Sequence, residues 1–425
     1  MATNLSRRLA GAGELKLAAL VTGLATPVFL VACAVPDGGL FRAERYRDVH
    51  LYGLYADQLF RGELPYRDVF VEYPPGAFAV FLPPAALPAG DYNFAFKSLM
   101  ALCGAAALFA VAVALVSLGV RGRRLYAAAA LFALSPLALG PISLNTYDLW
   151  PAALTVGALA ALLRRRALLA FGLLGVAVTA KLYPLVLVPP ALGYVWAVSG
   201  RRRARDSAAV LVGTSAVVVL PFAVLGPGGL WDSFHAQAAR GLQIESLGSA
   251  LLLAAHRLGL YDATVVRGTT GAATRDLAGS LPDALATLLS VLQLAGVALV
   301  WIVFFRGPRT SHRLVLASAA AVAGFLVFNR FISPQYLVWL IPLVLVAQSP
   351  AAIALVAGSL VLAQIWFFHY RDVFALDGIV WLVVARDLAL AALYVLLLLP
   401  LRRRLRCRPQ DDRAFPVRPS ERTGR

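Results

Sequence analysis

The chain has 425 residues, 60% of them hydrophobic and 14% charged, with a mean hydropathy of +0.75. A soluble globular domain carries roughly 25% charged residues, so the composition excludes one and points to an all-α integral membrane protein that crosses the bilayer many times. The net charge of +17 does not imply a nucleic-acid partner, because the arginines stand in short runs beside apolar segments rather than on a basic domain.

The N-terminal stretch "SRRLAGAGELKLAALVTGLATPVFLVACAV" has a long apolar run without a clean small-residue cleavage site, so it reads as a first membrane helix rather than a signal peptide. Arginine runs follow at 121–124, 164–166, 201–205, 306–313 and 402–408. Placing each run in the cytoplasm threads the apolar segments. Residues 14–36 go out, 92–120 return, 124–140 go out and 149–163 return. Residues 167–198 form a hairpin with "KLYP" (181–184) at its apex. The remaining spans are 206–225, 282–305, 313–328, 336–348, 351–368 and 382–400. This gives about twelve helices with both termini cytoplasmic, several of them shorter than the ~20 residues of a perpendicular span. Residues 1–401 form one transmembrane unit with two large external loops, 37–91 and 226–281. Residues 402–425 form a basic cytoplasmic tail, expected to be disordered against anionic lipid. "PPGAFAVFLPPAAL" (74–87) fits no span and reads as a short re-entrant or surface-lying helix. Cys33, Cys103 and Cys407 show neither metal spacing nor a disulfide framework.

The threading uses only basic residues, yet most acids from Asp37 to Asp377 fall on the opposite side. The densest stretch is "DVHLYGLYADQLFRGELPYRDVFVEYPP" (48–75). Polar residues set in apolar context land there as well: Lys181, Tyr183, Arg330, Gln335, His369 and Arg371. Ionisable groups that converge on one face of a membrane protein mark a site. There is no P-loop, metal cluster or nucleophile-elbow motif. Isolated cations at membrane depth need an anion, either a protein carboxylate or a lipid phosphate at the headgroup level. Nucleotides are not available outside a bacterial plasma membrane, so a transferase there needs a lipid-linked donor.

Six stretches carry a family resemblance: "DVHLYGLYADQLFRGELPY", "EYPPGA", "NTYDLWPAAL", "KLYPLVLVPP", "RGLQIESL" and "NRFISPQYLVWLIPL". In that order and topology the chain resembles the polyprenyl-phosphate-sugar-dependent glycosyltransferases of the GT-C superfamily, closest to glycosyltransferase family 87, the α-mannosyltransferase group. The resemblance implies a GT-C-like bundle and an inverting transfer of a hexose, mannose first, from a polyprenyl-phosphate donor to a glycan or glycolipid acceptor. It also implies a catalytic carboxylate on an Asp-x-x-x-Tyr pattern in the first external loop, here Asp48 with Tyr52. A transporter of lipid-linked sugars and a lipid-glycan ligase are the alternative readings.

Each residue has a structural reading beside its functional one. Asp48 is the candidate base or a helix cap; Asp68 and Glu72 are its rivals, Glu72 also being able to pair with Arg67. Lys181, Arg330, His369 and Arg371 are candidate phosphate ligands, or interfacial anchors. Tyr52, Tyr73, Asp148, Tyr183, Gln335 and Tyr336 suit the sugar or acceptor, although Tyr73 also fits a loop-fixing role and Asp148 a helix start. Arg240, Gln243 and Glu245 suit the acceptor side, or reflect an internal Arg240–Glu245 ion pair. Arg386 and Asp387 read as a structural pair in the last helix. Residues 247–261 read as an interfacial helix over the site and 265–280 as a mobile flap. No cofactor is expected, with a divalent metal left open.

Overall fold

The structure, a computed structural model, describes residues 2–36, 48–87, 90–268, 274–368 and 378–402, together with 373, 375 and 376. His369 and Arg371 lie outside the described residues, as does the tail beyond Arg402. The protein is a multi-pass membrane protein built almost wholly of helices. Six helices among the described residues are long and apolar enough to cross a bilayer, and five shorter apolar ones accompany them.

The elements, in chain order, are α1 (Ala2–Val35), α2 (Asp48–Phe60) and a short helix α3 that opens with a 3₁₀ turn at Pro75–Ala77 and continues over Phe78–Ala85. Then come α4 (Tyr92–Ser117), α5 (Gly122–Leu139), α6 (Ile142–Asn145), α7 (Leu149–Leu163) and α8 (Ala167–Ala180). The long α9 (Val188–Leu225) bends at Gly200, whose φ of 84° lies in the left-handed region that glycine tolerates. It is followed by α10 (Pro227–Ala238), α11 (Leu247–Arg257), α12 (Ser280–Phe305), α13 (Ser311–Val327), α14 (Leu340–Ala347), α15 (Pro350–Phe368) and α16 (Val380–Arg402). With α9 counted as two halves, every expected span is met by a helix. The apolar stretch that fitted no span is α3, packed against α2, α4 and α8.

The helical bundle carries one small addition. A small antiparallel sheet runs in the order β1 (Leu242–Gln243), β3 (Arg275–Ala278), β2 (Thr264–Arg267), with Gln243 opposite Asp276 and Val265 opposite Leu277. β-Branched Thr264, Val265 and Val266 favour extended backbone. The flap read over 265–280 therefore has ordered strands at both ends.

Charge separates the bundle into two ends. Glu14 pairs with Arg121 at 3.1 Å and with Arg164 at 3.2 Å, bringing α1 and two arginine turns to one end. The Arg165 guanidinium lies over Tyr194 and that of Arg309 over Trp196, while Arg313 donates to the carbonyls of Leu401 and Val303. At the opposite end the helices stop early. α7 and α8 have 15 and 14 residues; at about 1.5 Å per residue they run roughly 22 Å, short of the ~30 Å hydrocarbon core. The chain continues there in two 3₁₀ turns, Tyr183–Leu187 and Pro334–Trp339, both largely buried. Irregular backbone at that depth is tolerable because protein, not lipid, surrounds it.

Close backbone approach holds the 61–77 segment in place. A Cβ on Gly76 would stand 2.6 Å from the Thr179 and Ala180 backbone, and one on Gly229 would stand 1.9 Å from the Tyr66 carbonyl oxygen. Gly76→Val should therefore push α3 off the end of α8, lowering stability by about 1–3 kcal/mol. A melting temperature in detergent unchanged from wild type would show that the two backbones do not meet this way.

Candidate active site

The helix-end geometry above builds the acidic end of the bundle. α7 and α8 are antiparallel neighbours joined by the arginine turn at 164–166, so the start of one lies level with the end of the other. Asp148 is the N-cap residue of α7 and Lys181 the C-cap residue of α8. Lys181 Nζ lies 2.7 Å from Asp148 Oδ1, which also accepts from Trp339 Nε1 at 2.8 Å. Three aromatic faces surround the ammonium, with centroids at 4.5 Å (Tyr147), 4.8 Å (Tyr336) and 5.3 Å (Trp339). Tyr183 stacks on Trp339 at 4.0 Å and donates its hydroxyl to Thr155 at 3.0 Å. The anion that Lys181 requires is thus supplied by the protein.

Asp48 opens α2, and α2 packs Tyr52 into an aromatic cluster: stacked on Phe81 at 4.3 Å and edge-on to Tyr73 at 5.4 Å and Tyr147 at 5.7 Å. Tyr52 thus lies beneath the site as part of its floor. Among the described residues no hydrogen bond or ion pair engages the Asp48 carboxylate. Burial pushes its pKa up to about 6; the nearby carboxylates of Glu72 and Asp148 push the same way, and Lys181 opposes them. Its surroundings therefore include groups from three other parts of the chain.

Glu72 pairs with Arg240 at 3.2 Å, both largely buried, and its backbone carbonyl accepts from Gln237 Nε2 at 2.9 Å. Burial raises the Glu72 carboxyl and Arg240 counters it. The Arg240 guanidinium lies over Phe331, 4.9 Å from the ring centroid. Its Nε is buried without a hydrogen-bond partner among the described residues. Arg330, beside Phe331, donates to the Ala238 carbonyl, and its own carbonyl accepts from Gln243 N at 3.0 Å. Two arginines from distant segments therefore flank one loop.

Several sequence readings are corrected here. Glu72 pairs with Arg240 and not with Arg67, which instead holds Asp68 at 2.8 Å. Arg240 accordingly pairs with Glu72 and not with Glu245. Asp68 is partly exposed, accepts from Leu64 N at 2.8 Å and is kept below the ordinary carboxylate range by its Arg67 hydrogen bond. It is therefore tied up at the surface. Gln243 and Glu245 are buried, and the Glu245 carbonyl accepts from Arg386, whose guanidinium also pairs with Asp387 at 2.8 Å. Gln335 is half-buried on the Pro334–Trp339 turn beside Tyr336. Tyr147 and Trp339 had not been singled out from the sequence. Adjacency to Asp148 was the available signal for Tyr147, and nothing local marked Trp339.

A half-buried carboxylate without a partner among the described residues, set among carboxylates, cations and aromatic faces at one end of a helical membrane bundle, is a candidate active site. The family model for glycosyltransferase family 87 matches residues 70–334, more than half of the chain. The chain belongs to that family and is a membrane glycosyltransferase. Glu72, Asp148, Lys181, Arg240 and Arg330 fall inside the matched segment, and Asp48 precedes it. No curated protein matches the chain. Among solved structures, it is similar to the crystal structure of ArnT from Cupriavidus metallidurans bound to undecaprenyl phosphate. That similarity has 18% identity and a TM-score of 0.45, and it covers 90% of this chain and 76% of that one. No residue role is carried across a likeness that distant.

Removing one partner of a buried ion pair leaves the other uncompensated. Lys181→Met should lower stability by on the order of 3 kcal/mol, and Lys181→Met with Asp148→Asn should recover part of that loss. Thermal unfolding in detergent reads both; a double variant that melts below the single one would contradict the pairing.

Proposed function

We propose that the protein transfers a hexose, mannose by the family resemblance, from a polyprenyl-phosphate donor to a glycan or glycolipid acceptor. The site faces the outside of a bacterial plasma membrane, with both termini in the cytoplasm. Residues 1–401 form the transferase and 402–425 a basic tail. Sidedness is supported by the arginine end, which the positive-inside rule assigns to the cytoplasm. The observation that carries the reading is the Asp48 carboxylate: half-buried, without a partner among the described residues, with its pKa lifted to about 6.

Such a group suits a general base, whose proton affinity is best placed near the working pH. Asp48 takes the acceptor hydroxyl's proton as its oxygen bonds to the anomeric carbon. The bond from that carbon to the phosphate oxygen breaks, and its electron pair leaves with the phosphate. No acid is needed for such a leaving group, but positive charge fixed beforehand stabilises it. Arg240 and Arg330 supply that charge in this reading, with His369 and Arg371 as further ligands. Lys181, already held by Asp148, tunes and positions the carboxylates. Tyr52, Tyr73, Tyr183, Gln335 and Tyr336 shape the sugar side. Gln243 and Glu245 brace the Arg240 loop.

Transfer from synthetic polyprenyl-phosphate mannose in detergent tests the reading. Asp48→Asn should reduce kcat about 10²–10⁴-fold. Activity surviving that change would move the base to Glu72, and a wild-type protein inert towards every polyprenyl-phosphate sugar would refute the donor.

The base acts ionised, so kcat/KM should rise with pH through a midpoint near 6 and then level off. Glu72→Gln removes a neighbouring negative charge and should move the midpoint down. Lys181→Met removes the opposing cation and should move it up. A profile indifferent to both changes would separate Asp48 from the titrating group.

A further inference from the structure

The last membrane helix, α16, holds a pair of charges to which the proposed transfer gives no part. Arg386 and Asp387 are 0% and 2% exposed, so both are enclosed by protein. The guanidinium donates through Nε to Asp387 Oδ1 at 2.9 Å and pairs with the same oxygen through Nη2 at 2.8 Å. Its carbon lies over the Trp366 ring, 5.6 Å from the centroid. Arg386 Nη1 and Asp387 Oδ2 have no hydrogen-bond partner among the described residues. Apolar side chains of similar volume commonly replace a buried ion pair without loss of stability, and unmet buried polar atoms carry a further cost. Stability alone is a poor reason for such a pair, and one remaining contact supplies a better one.

That contact is a hydrogen bond from Arg386 Nη2 to the Glu245 carbonyl. The segment around Glu245 is held from two other sides. On one, Leu242 and Gln243 pair with β3, and Ile244 N donates to the Arg275 carbonyl at 3.0 Å. On the other, Gln243 N donates to the Arg330 carbonyl at 3.0 Å. Arg240 stands two residues before this strand, and Arg330 is fastened to it. We infer that Arg386, oriented by Asp387, is a positioning residue for the two arginines assigned to the donor phosphate. The inference rests on the transferase reading given above and adds what holds its cations in place. The 23-residue α16 packs against α11, α13 and α15, so Arg386 ties a two-residue strand to the helical bundle. Arginine suits this task because its planar fork reaches a carboxylate and a carbonyl together.

Binding of a synthetic polyprenyl phosphate to the full-length protein in detergent tests the inference, beside the transfer assay. Arg386→Lys keeps a positive charge next to Asp387, but its ammonium does not span both acceptors. It should weaken polyprenyl phosphate binding about tenfold while KM for the acceptor stays unchanged. Arg386→Met with Asp387→Leu removes both charges and should show the same weakening at a melting temperature near that of wild type. Arg386→Lys combined with Arg240→Met should weaken binding by less than the product of the two separate factors, because one change acts through the group the other removes. Wild-type affinity in either Arg386 variant would overturn the inference. So would an equal rise in the acceptor KM, or independent factors in the combined variant, since each would leave the pair a structural role only. A wild-type protein that binds no polyprenyl phosphate would instead refute the donor reading, and this inference would fall with it.

Discussion

The ion pair between Lys181 and Asp148 is the contact from which the rest of the site takes its position. It joins the last residue of one short helix to the first of its neighbour, and through Trp339 Nε1 it reaches a third broken segment. Two opposite charges at this depth would each cost several kcal/mol alone. Together, under three aromatic faces, they are satisfied by hydrogen bonds, charge and cation–π attraction. The early ends of α7 and α8 and the 3₁₀ turns after them follow from the same need, since an extended backbone at the junction brings the two charged residues level. Asp48 and the Tyr52 cluster are then packed against an already rigid wall.

The carboxylates around this pair behave differently because their partners differ. Asp148 has a cation and an indole N–H on one oxygen, and Asp68 has Arg67 and a backbone N–H. Glu72 has Arg240. Asp48 has none of these among the described residues, and its proton affinity is raised with no paired cation to counter it directly. Environment, and not residue type, sorts acids of identical chemistry into structural anchors and one group free to exchange a proton.

This sorting decides how much was legible in the sequence. The spans were, because arginine runs and apolar segments report topology without reference to tertiary contacts. The Lys181–Asp148 pair was within reach, since adjacent antiparallel helices bring the start of one level with the end of the next. The Glu72–Arg240 pair was not: 168 residues separate the two, and Arg67 and Glu245 were nearer candidates for each. The approach of Gly226 and Gly229 to Tyr66 helps bring those segments together, and a glycine's neighbours are invisible until the backbone is folded. The small sheet was hidden for a related reason. Its strands have two to four residues and pair across a long connection, so no alternation long enough to read exists.

Those close approaches also bear on how the site acts on a departing phosphate. Cations stabilise developing charge most when they need not move to meet it. Arg240 is held by Glu72 and rests on Phe331, and Asp276 lies close enough to feel its charge. The segment carrying Glu72 is fixed in turn by the Tyr66 hydroxyl on the Tyr73 carbonyl and by Gln237 on the Glu72 carbonyl. A guanidinium constrained from this many directions has little rotamer freedom left to lose when an anion arrives. Its buried Nε–H has no acceptor among the described residues. In the proposed transfer, an anionic oxygen of the donor is an acceptor that such a cationic donor favours.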